Sequence, residues 1–218
     1  MIIIHLNIRG IRANFEELKA LINYYNADIT AVNEPMIKEK DENEVQIRGF
    51  VCCVCKNSND MIRVLLYVRD NISFEIMKNI GNESSALYIQ IKFKYRRKFL
   101  SLTAIYNPPN NALNERLLDE LCTEQSIVIG DLNAKSTLLG CHTTNRNGFH
   151  LMNFLINNIT TAVVNDGSRP TFLCLSRDTC DTLDWAIVRP ASTNMFSHWA
   201  VAPSVSSDIL PLVLSTAS

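Results

Sequence analysis

The sequence predicts an α/β domain rich in β-strand, on three observations. Short apolar runs alternate with turns rich in Asn, Asp, Ser and Gly, two stretches carry apolar residues at helical spacing, and no repeat or composition break divides the 218 residues. A chain of this length can bury a large core, so one domain over 1–218 is expected.

Ile2 to Leu6 is a buried-strand run ending in the Asn-Ile-Arg-Gly turn. A helix should follow, because Phe15, Leu18, Leu21, Ile22 and Tyr25 recur on one face, with Asn14 placed to cap it. Asp28 to Val32 is a second buried strand, which puts Glu34 just past its end. Val45 to Val54, Arg63 to Val68, Leu87 to Phe93 and Phe99 to Tyr106 form a mainly antiparallel section. Pro108-Pro109 stops it, Asn114 to Leu121 is amphipathic enough for a helix, and Ser126 to Ile129 is a strand ending at Asp131. A second strong helix spans Gly148 to Asn157, with Asn145 or Asn147 at its start. Ala162 to Val164, Pro170 to Phe172, Leu183 to Val188, Trp199 to Ala202 and Leu210 to Leu214 complete the strands.

Composition narrows the partners. The formal net charge is −1, so no global field drives tight nonspecific binding to nucleic acid. The densest basic cluster, Lys92, Lys94, Arg96, Arg97 and Lys98, reads as a solvated hairpin tip. Seven cysteines are an odd count, and Cys52-Cys53-Val54-Cys55 sits in an apolar run, so the thiols read as reduced small hydrophobes rather than a metal knuckle. No stretch reaches the ~20 apolar residues of a membrane span. The opening Met1-Ile2-Ile3-Ile4 has no basic leader, and an intracellular location is expected.

Asn7, Glu34, Asp131, Asn133, Asp184 and Asp208 share a placement at or near the end of an apolar strand. There, carboxylates from distant segments can converge at a sheet rim on a hard cation. Their flanking segments, Leu6-Asn7-Ile8-Arg9-Gly10, Ala31-Val32-Asn33-Glu34-Pro35, Ile105-Tyr106-Asn107-Pro108-Pro109, Gly130-Asp131-Leu132-Asn133-Ala134, Thr182-Leu183-Asp184-Trp185 and Ser207-Asp208-Ile209, carry a family resemblance. In order and spacing the chain resembles the endonuclease/exonuclease/phosphatase superfamily, most of all the apurinic-type endonuclease domain of non-LTR retrotransposons. Asn145-Arg146-Asn147-Gly148, Val164-Asn165-Asp166-Gly167 and Pro170-Thr171-Phe172 resemble further segments of the insect-type elements.

The resemblance implies an α+β fold, α/β by its mixed order: a four-layer αββα sandwich of two facing, mainly antiparallel sheets flanked by helices. It implies Mg²⁺, with Mn²⁺ as substitute, held by Glu34 with Asn7 and Asp208. Asp131 would orient or deprotonate the attacking water, and Asn133 and Tyr106 would donate to phosphate oxygens. The family's histidine falls at Ile209, which has no donor and no charge, so turnover is expected to be impaired and Asp184 to lose its ring partner. None of His5, His142, His150 or His198 matches a family motif. The implied partners are DNA and a reverse transcriptase in the same polyprotein, with no membrane and a nuclear location. The alternatives are a non-catalytic relic or domesticated DNA-binding module, and a phosphoesterase acting on lipid or small-molecule phosphates.

Overall fold

The structure, a computed structural model, describes residues 1–81, 86–174, 179–189, 196–203 and 210–216. Fourteen strands are seen among them: β1 Ile2–Asn7, β2 Ile29–Lys38, β3 Phe50–Lys56, β4 Met61–Arg69, β5 Phe74–Ile80, β6 Leu87–Tyr95, β7 Lys98–Tyr106, β8 Ser126–Asp131, β9 Ala162–Val163, β10 Phe172–Cys174, β11 Thr179–Asp181, β12 Asp184–Val188, β13 Phe196–Val201 and β14 Leu212–Thr216. Three α-helices accompany them, α1 Ile11–Tyr25, α2 Glu115–Leu121 and α3 Arg146–Asn157.

The first six-stranded sheet runs β13-β14-β1-β2-β4-β3 and the second β5-β6-β7-β8-β12-β9, with β10 and β11 as a separate hairpin. Each large sheet has a single parallel pair, β1 with β2 and β7 with β8. Helix α1 is the crossover between β1 and β2, as parallel neighbours require.

Period-two alternation explains the layering. On β1, Ile3 joins the core between the sheets, while Ile4 and Leu6 turn outward to meet Leu18 and Ile22 of α1. On the second sheet, Ile127 and Ile129 face the inter-sheet core, while Val128 packs outward with Leu118 of α2 and Leu151 and Phe154 of α3. Three apolar cores separate four layers, which is the αββα sandwich that the resemblance implies. The same alternation sends His5 and Asn7 inward, toward the second sheet.

Several elements depart from the sequence reading. The expected strand Val45–Val54 is instead a 3-10 turn over Glu39–Val45 followed by β3, and Gly49 at φ +83° makes the break. Val45 still contributes its apolar side chain, packed on the α1 side of the first sheet. Helix α1 starts at Ile11 rather than after Asn14, with Gly10 at φ 108° before it. The Asn14 side chain donates back to the carbonyls of Ile8 and Gly10, closing the entry turn. Strand β5 escapes the sequence reading altogether, since nearly every residue on it is exposed at the sheet's edge.

Candidate active site

Both sheets present strand ends at the same rim. Asn7 ends β1 beside Asn33 of β2, Tyr106 and Asp131 end the parallel pair β7 and β8 opposite each other, and Asp184, the first residue of β12, pairs with Asp131. Asn7, Asn33, Tyr106, Asp131 and Asp184 are all buried.

Glu34 reaches this rim through an interruption in β2. Asn33 pairs with Val64 and Ile37 with Ile62, so Glu34, Pro35 and Met36 stand against Arg63 alone. Glu34 and Met36 take φ values of 50° and 53°, a left-handed conformation that costs non-glycine residues free energy and bends the strand so as to re-aim a side chain. The half-buried Glu34 carboxylate accepts from the Tyr106 hydroxyl at 2.6 Å through Oε1. Burial first, then the bond to Glu34 and the charges of Glu34 and Asp131, push the Tyr106 hydroxyl far above its ordinary range, with Arg63 opposing weakly. Tyr106 therefore remains a donor at any working pH.

Asp131 is the most heavily engaged carboxyl. Its Oδ2 accepts from Asn7 Nδ2 at 2.9 Å, its Oδ1 accepts from the Asn133 N–H at 2.8 Å, and its own N–H donates to Asn33 Oδ1 at 2.9 Å. Burial and the neighbouring Asp184 charge push it well above the usual carboxyl range; the bonds from Asn7 and Asn133 pull the other way, and Glu34 adds a smaller upward push. A carboxyl raised in this way is a stronger base once deprotonated.

Asn133 stands at φ 48°, and its amide donates to the Asn107 carbonyl at 3.0 Å. Asn145 fixes the same loop: its Nδ2 donates to the Asn133 carbonyl at 2.8 Å, and its Oδ1 accepts from the N–H groups of Lys135 and Gly148. One asparagine thus caps α3 and ties it to the segment that follows Asp131.

The sequence reading leaves Asp184 without a partner, and the structure corrects it. His5 Nε2 lies 2.8 Å from Asp184 Oδ1, with both side chains buried. Asn165 holds the Asp184 strand through its carbonyl, and the Thr171 hydroxyl accepts from the N–H groups of Leu183 and Asp184. The Leu210 N–H meets the Thr171 carbonyl at 2.7 Å. Asp208 and Ile209, expected as ligand and as the vacated histidine position, lie outside the described residues.

The six described residues named from sequence, Asn7, Glu34, Tyr106, Asp131, Asn133 and Asp184, thus form one linked neighbourhood. His5, Asn33, Asn107 and Asn145 were missed. Asn145 had a signal, its place at the start of an expected helix, and Asn33 and Asn107 lie within the motif segments around Glu34 and Tyr106; His5 had none.

The donors suit a hard divalent cation in kind. The Glu34 carboxylate has one oxygen engaged by Tyr106 and no other hydrogen bond among the described residues, and Asn7 adds an amide oxygen that accepts from the Arg9 N–H at 3.2 Å. Carboxylate and amide oxygens with retained water are what Mg²⁺ and Mn²⁺ take. Among the described residues no three His, Cys, Asp or Glu side chains group as a metal site, so a cation here would depend on one carboxylate helped by an amide.

Solved structures share the fold at low identity. The endonuclease domain of TRAS1, a telomere-specific non-LTR retrotransposon, is similar with a TM-score of 0.81 and 19% identity, over 99% of this chain and 97% of that one. An AP endonuclease from Leishmania major gives 0.78 and 13%, over 98% and 86%. A 3′ phosphatase from Neisseria, solved with a product DNA hairpin, gives 0.72 and 13%, over the whole of both chains. No curated protein matches. A family model described as endonuclease-reverse transcriptase matches residues 100–212, just over half the chain, and this span carries Tyr106, Asp131, Asn133 and Asp184. With that match and a shared fold over nearly its full length, the chain belongs to the endonuclease-reverse transcriptase family, within the endonuclease/exonuclease/phosphatase superfamily.

Proposed function

We propose that the chain is a Mg²⁺-dependent phosphodiesterase domain of the DNA-nicking kind, serving insertion of a non-LTR retrotransposon, with turnover impaired at Ile209. The observation that carries the reading is the meeting of Glu34, Tyr106, Asn7, Asp131 and Asp184 at one rim, from five different strands. The family description, which joins an endonuclease to a reverse transcriptase, and the similarity to the TRAS1 endonuclease domain favour DNA over other phosphates.

Glu34, with Asn7 and Asp208, would hold the cation. When bound, it neutralises charge at the scissile phosphate and the leaving oxygen. Asp131 is the base for water: its carboxyl is fixed by Asn7 and Asn133, and its raised pKa matches a proton-accepting role. Tyr106, always protonated, orients Glu34 with its one O–H, and would donate to a phosphate oxygen by turning that hydrogen away from Glu34. Asn133 offers an amide beside the same loop. Ile209 supplies neither a proton nor a positive charge at the phosphate, and loss of such a group typically costs about 10²–10⁴ in rate. A reverse transcriptase in the same polyprotein and a nuclear site of action complete the proposal.

Supercoiled-plasmid nicking with Mg²⁺ tests it, comparing the native chain with Ile209→His and with Ile209→His/Glu34→Ala. The single variant should gain nicking and the double should lose it. Native-level activity typical of an intact nuclease would refute the impairment. Ile209 itself favours a second reading, a DNA-binding module without turnover, which survives only if a low-salt titration detects duplex binding when both variants fail to cut. Release of phosphate from a small-molecule or lipid phosphate, with no nicking, would favour the phosphoesterase.

A further inference from the structure

His5 has no part in the chemistry above, yet it occupies a costly position. It is fully buried, its Nε2 is 2.8 Å from Asp184 Oδ1, and its Nδ1 has no hydrogen-bond partner among the described residues. Its neighbours on the inner face of β1 are Ile3, part of the apolar core, and Asn7, bonded to Asp131. A strand needs no histidine there, and an apolar residue would pack between the sheets at less desolvation cost.

What His5 does is visible at its other end. Asp184 is buried and pairs directly with Asp131 across β8 and β12, so two carboxyls sit side by side at the rim. Among the described residues His5 is the only side chain bonded to the Asp184 carboxyl, and Asp184 Oδ2 has no partner. Without His5, Asp184 would be a buried carboxyl with no donor, beside a second one.

We propose that His5 is a positioning residue of the rim, holding Asp184 from strand β1 in place of the ring that the family motif supplies at position 209, and through Asp184 fixing Asp131. Because it is fully buried, it cannot touch the phosphate, so it restores the orientation of the carboxyl pair but not the lost contact to substrate. The function of this arrangement rests on the nuclease reading; the pairing itself does not. The carboxyl pair then keeps an imidazole partner, supplied from strand β1.

Two measurements on the full chain test the idea. In protein with ¹⁵N-labelled histidine rings, His5 should show a protected Nε2–H resonance that moves in Asp184→Asn, while His142, His150 and His198 stay in place. In the metal-free protein, the amide resonances of Asp131 and Asn133 should shift in His5→Ala and return near their native positions in His5→Gln, whose amide nitrogen can reach Asp184. In nicking assays His5→Ala should lower the rate constant at saturating DNA by about tenfold or more with KM unchanged, as loss of an orienting partner does, and His5→Gln should recover most of it. A His5 ring insensitive to Asp184→Asn overturns the pairing whether or not the protein nicks. Folded His5→Ala with native Asp131 and Asn133 resonances, or with a native rate constant, overturns the positioning role. If neither the native chain nor Ile209→His nicks and the resonance shifts are as expected, the nuclease reading fails and the positioning of the carboxyl pair stands.

Discussion

Asp131 shows how a single residue couples function to stability. Its carboxyl is raised well above the ordinary 3.8 by burial and by Asp184. Below that ordinary value both the folded and the unfolded chain hold the proton. As pH rises past it, the unfolded chain releases its proton while the folded chain keeps it, so stability falls until pH passes the raised folded value. In metal-free protein, Asp131→Asn removes this dependence, because an amide does not titrate. The variant should gain on the native chain as pH rises from 4 to 7, with each 1 kcal/mol reading as about 2–4 °C in melting temperature. A constant difference across pH would show that Asp131 is not raised. His5 teaches the complementary lesson about legibility. Asp131 and Asp184 could be read from sequence because each interrupts an apolar run, whereas His5 lies inside one and its partner is 179 residues away. No local spacing encodes that contact.

At the scale of elements, the loop after β8 depends on the start of α3. Asn145 bonds to Asn133, Lys135 and Gly148, and a side chain on Gly148 would run into the Lys135 carbonyl. Gly148→Ala should therefore cost about 1–3 kcal/mol, as overpacking against a fixed neighbour does, and displace Asn133. Urea unfolding and nicking in the Ile209→His background should both be affected; a native midpoint would mean that α3 has room to move. Strong elements were legible for physical reasons: α1 and α3 bury one face, and β8 and β12 are apolar on both sides. Strand β5 was not, since an exposed edge strand needs only backbone pairing with β6 and its side chains carry little pattern. The interruption in β2 was equally hidden, as nothing in Glu34-Pro35-Met36 announces two left-handed residues.

The whole molecule can be probed through its thiols. Burial pushes Cys53 and Cys55 up to about 11 and Cys122 up to about 12. Cys53 and Cys55 belong to the core between the sheets, and Cys122 to the core beneath α2 and α3. At pH 8 their thiolate fractions are on the order of 10⁻³ or less, so a disulfide reagent should leave all three unmodified in the native state. If 1–218 unfolds as one domain, the three should be labelled at a common rate in denaturant. Separate rates would divide the chain into two units. Charge belongs to this scale as well: a net −1 gives DNA no long-range attraction, so binding should rest on a few local contacts with a shallow salt dependence.

The placement of β14 between β13 and β1 has a consequence for a chain made from its N-terminus. Strand β1 emerges well before its antiparallel partner, the last strand described, which follows roughly 10–40 s later at ordinary rates of synthesis. Throughout that interval β1 has a bare edge, the kind of edge that invites foreign pairing. His5 and Asn7 sit on that strand, so the rim they share with Asp131 and Asp184 is completed only when β14 closes the sheet beside them.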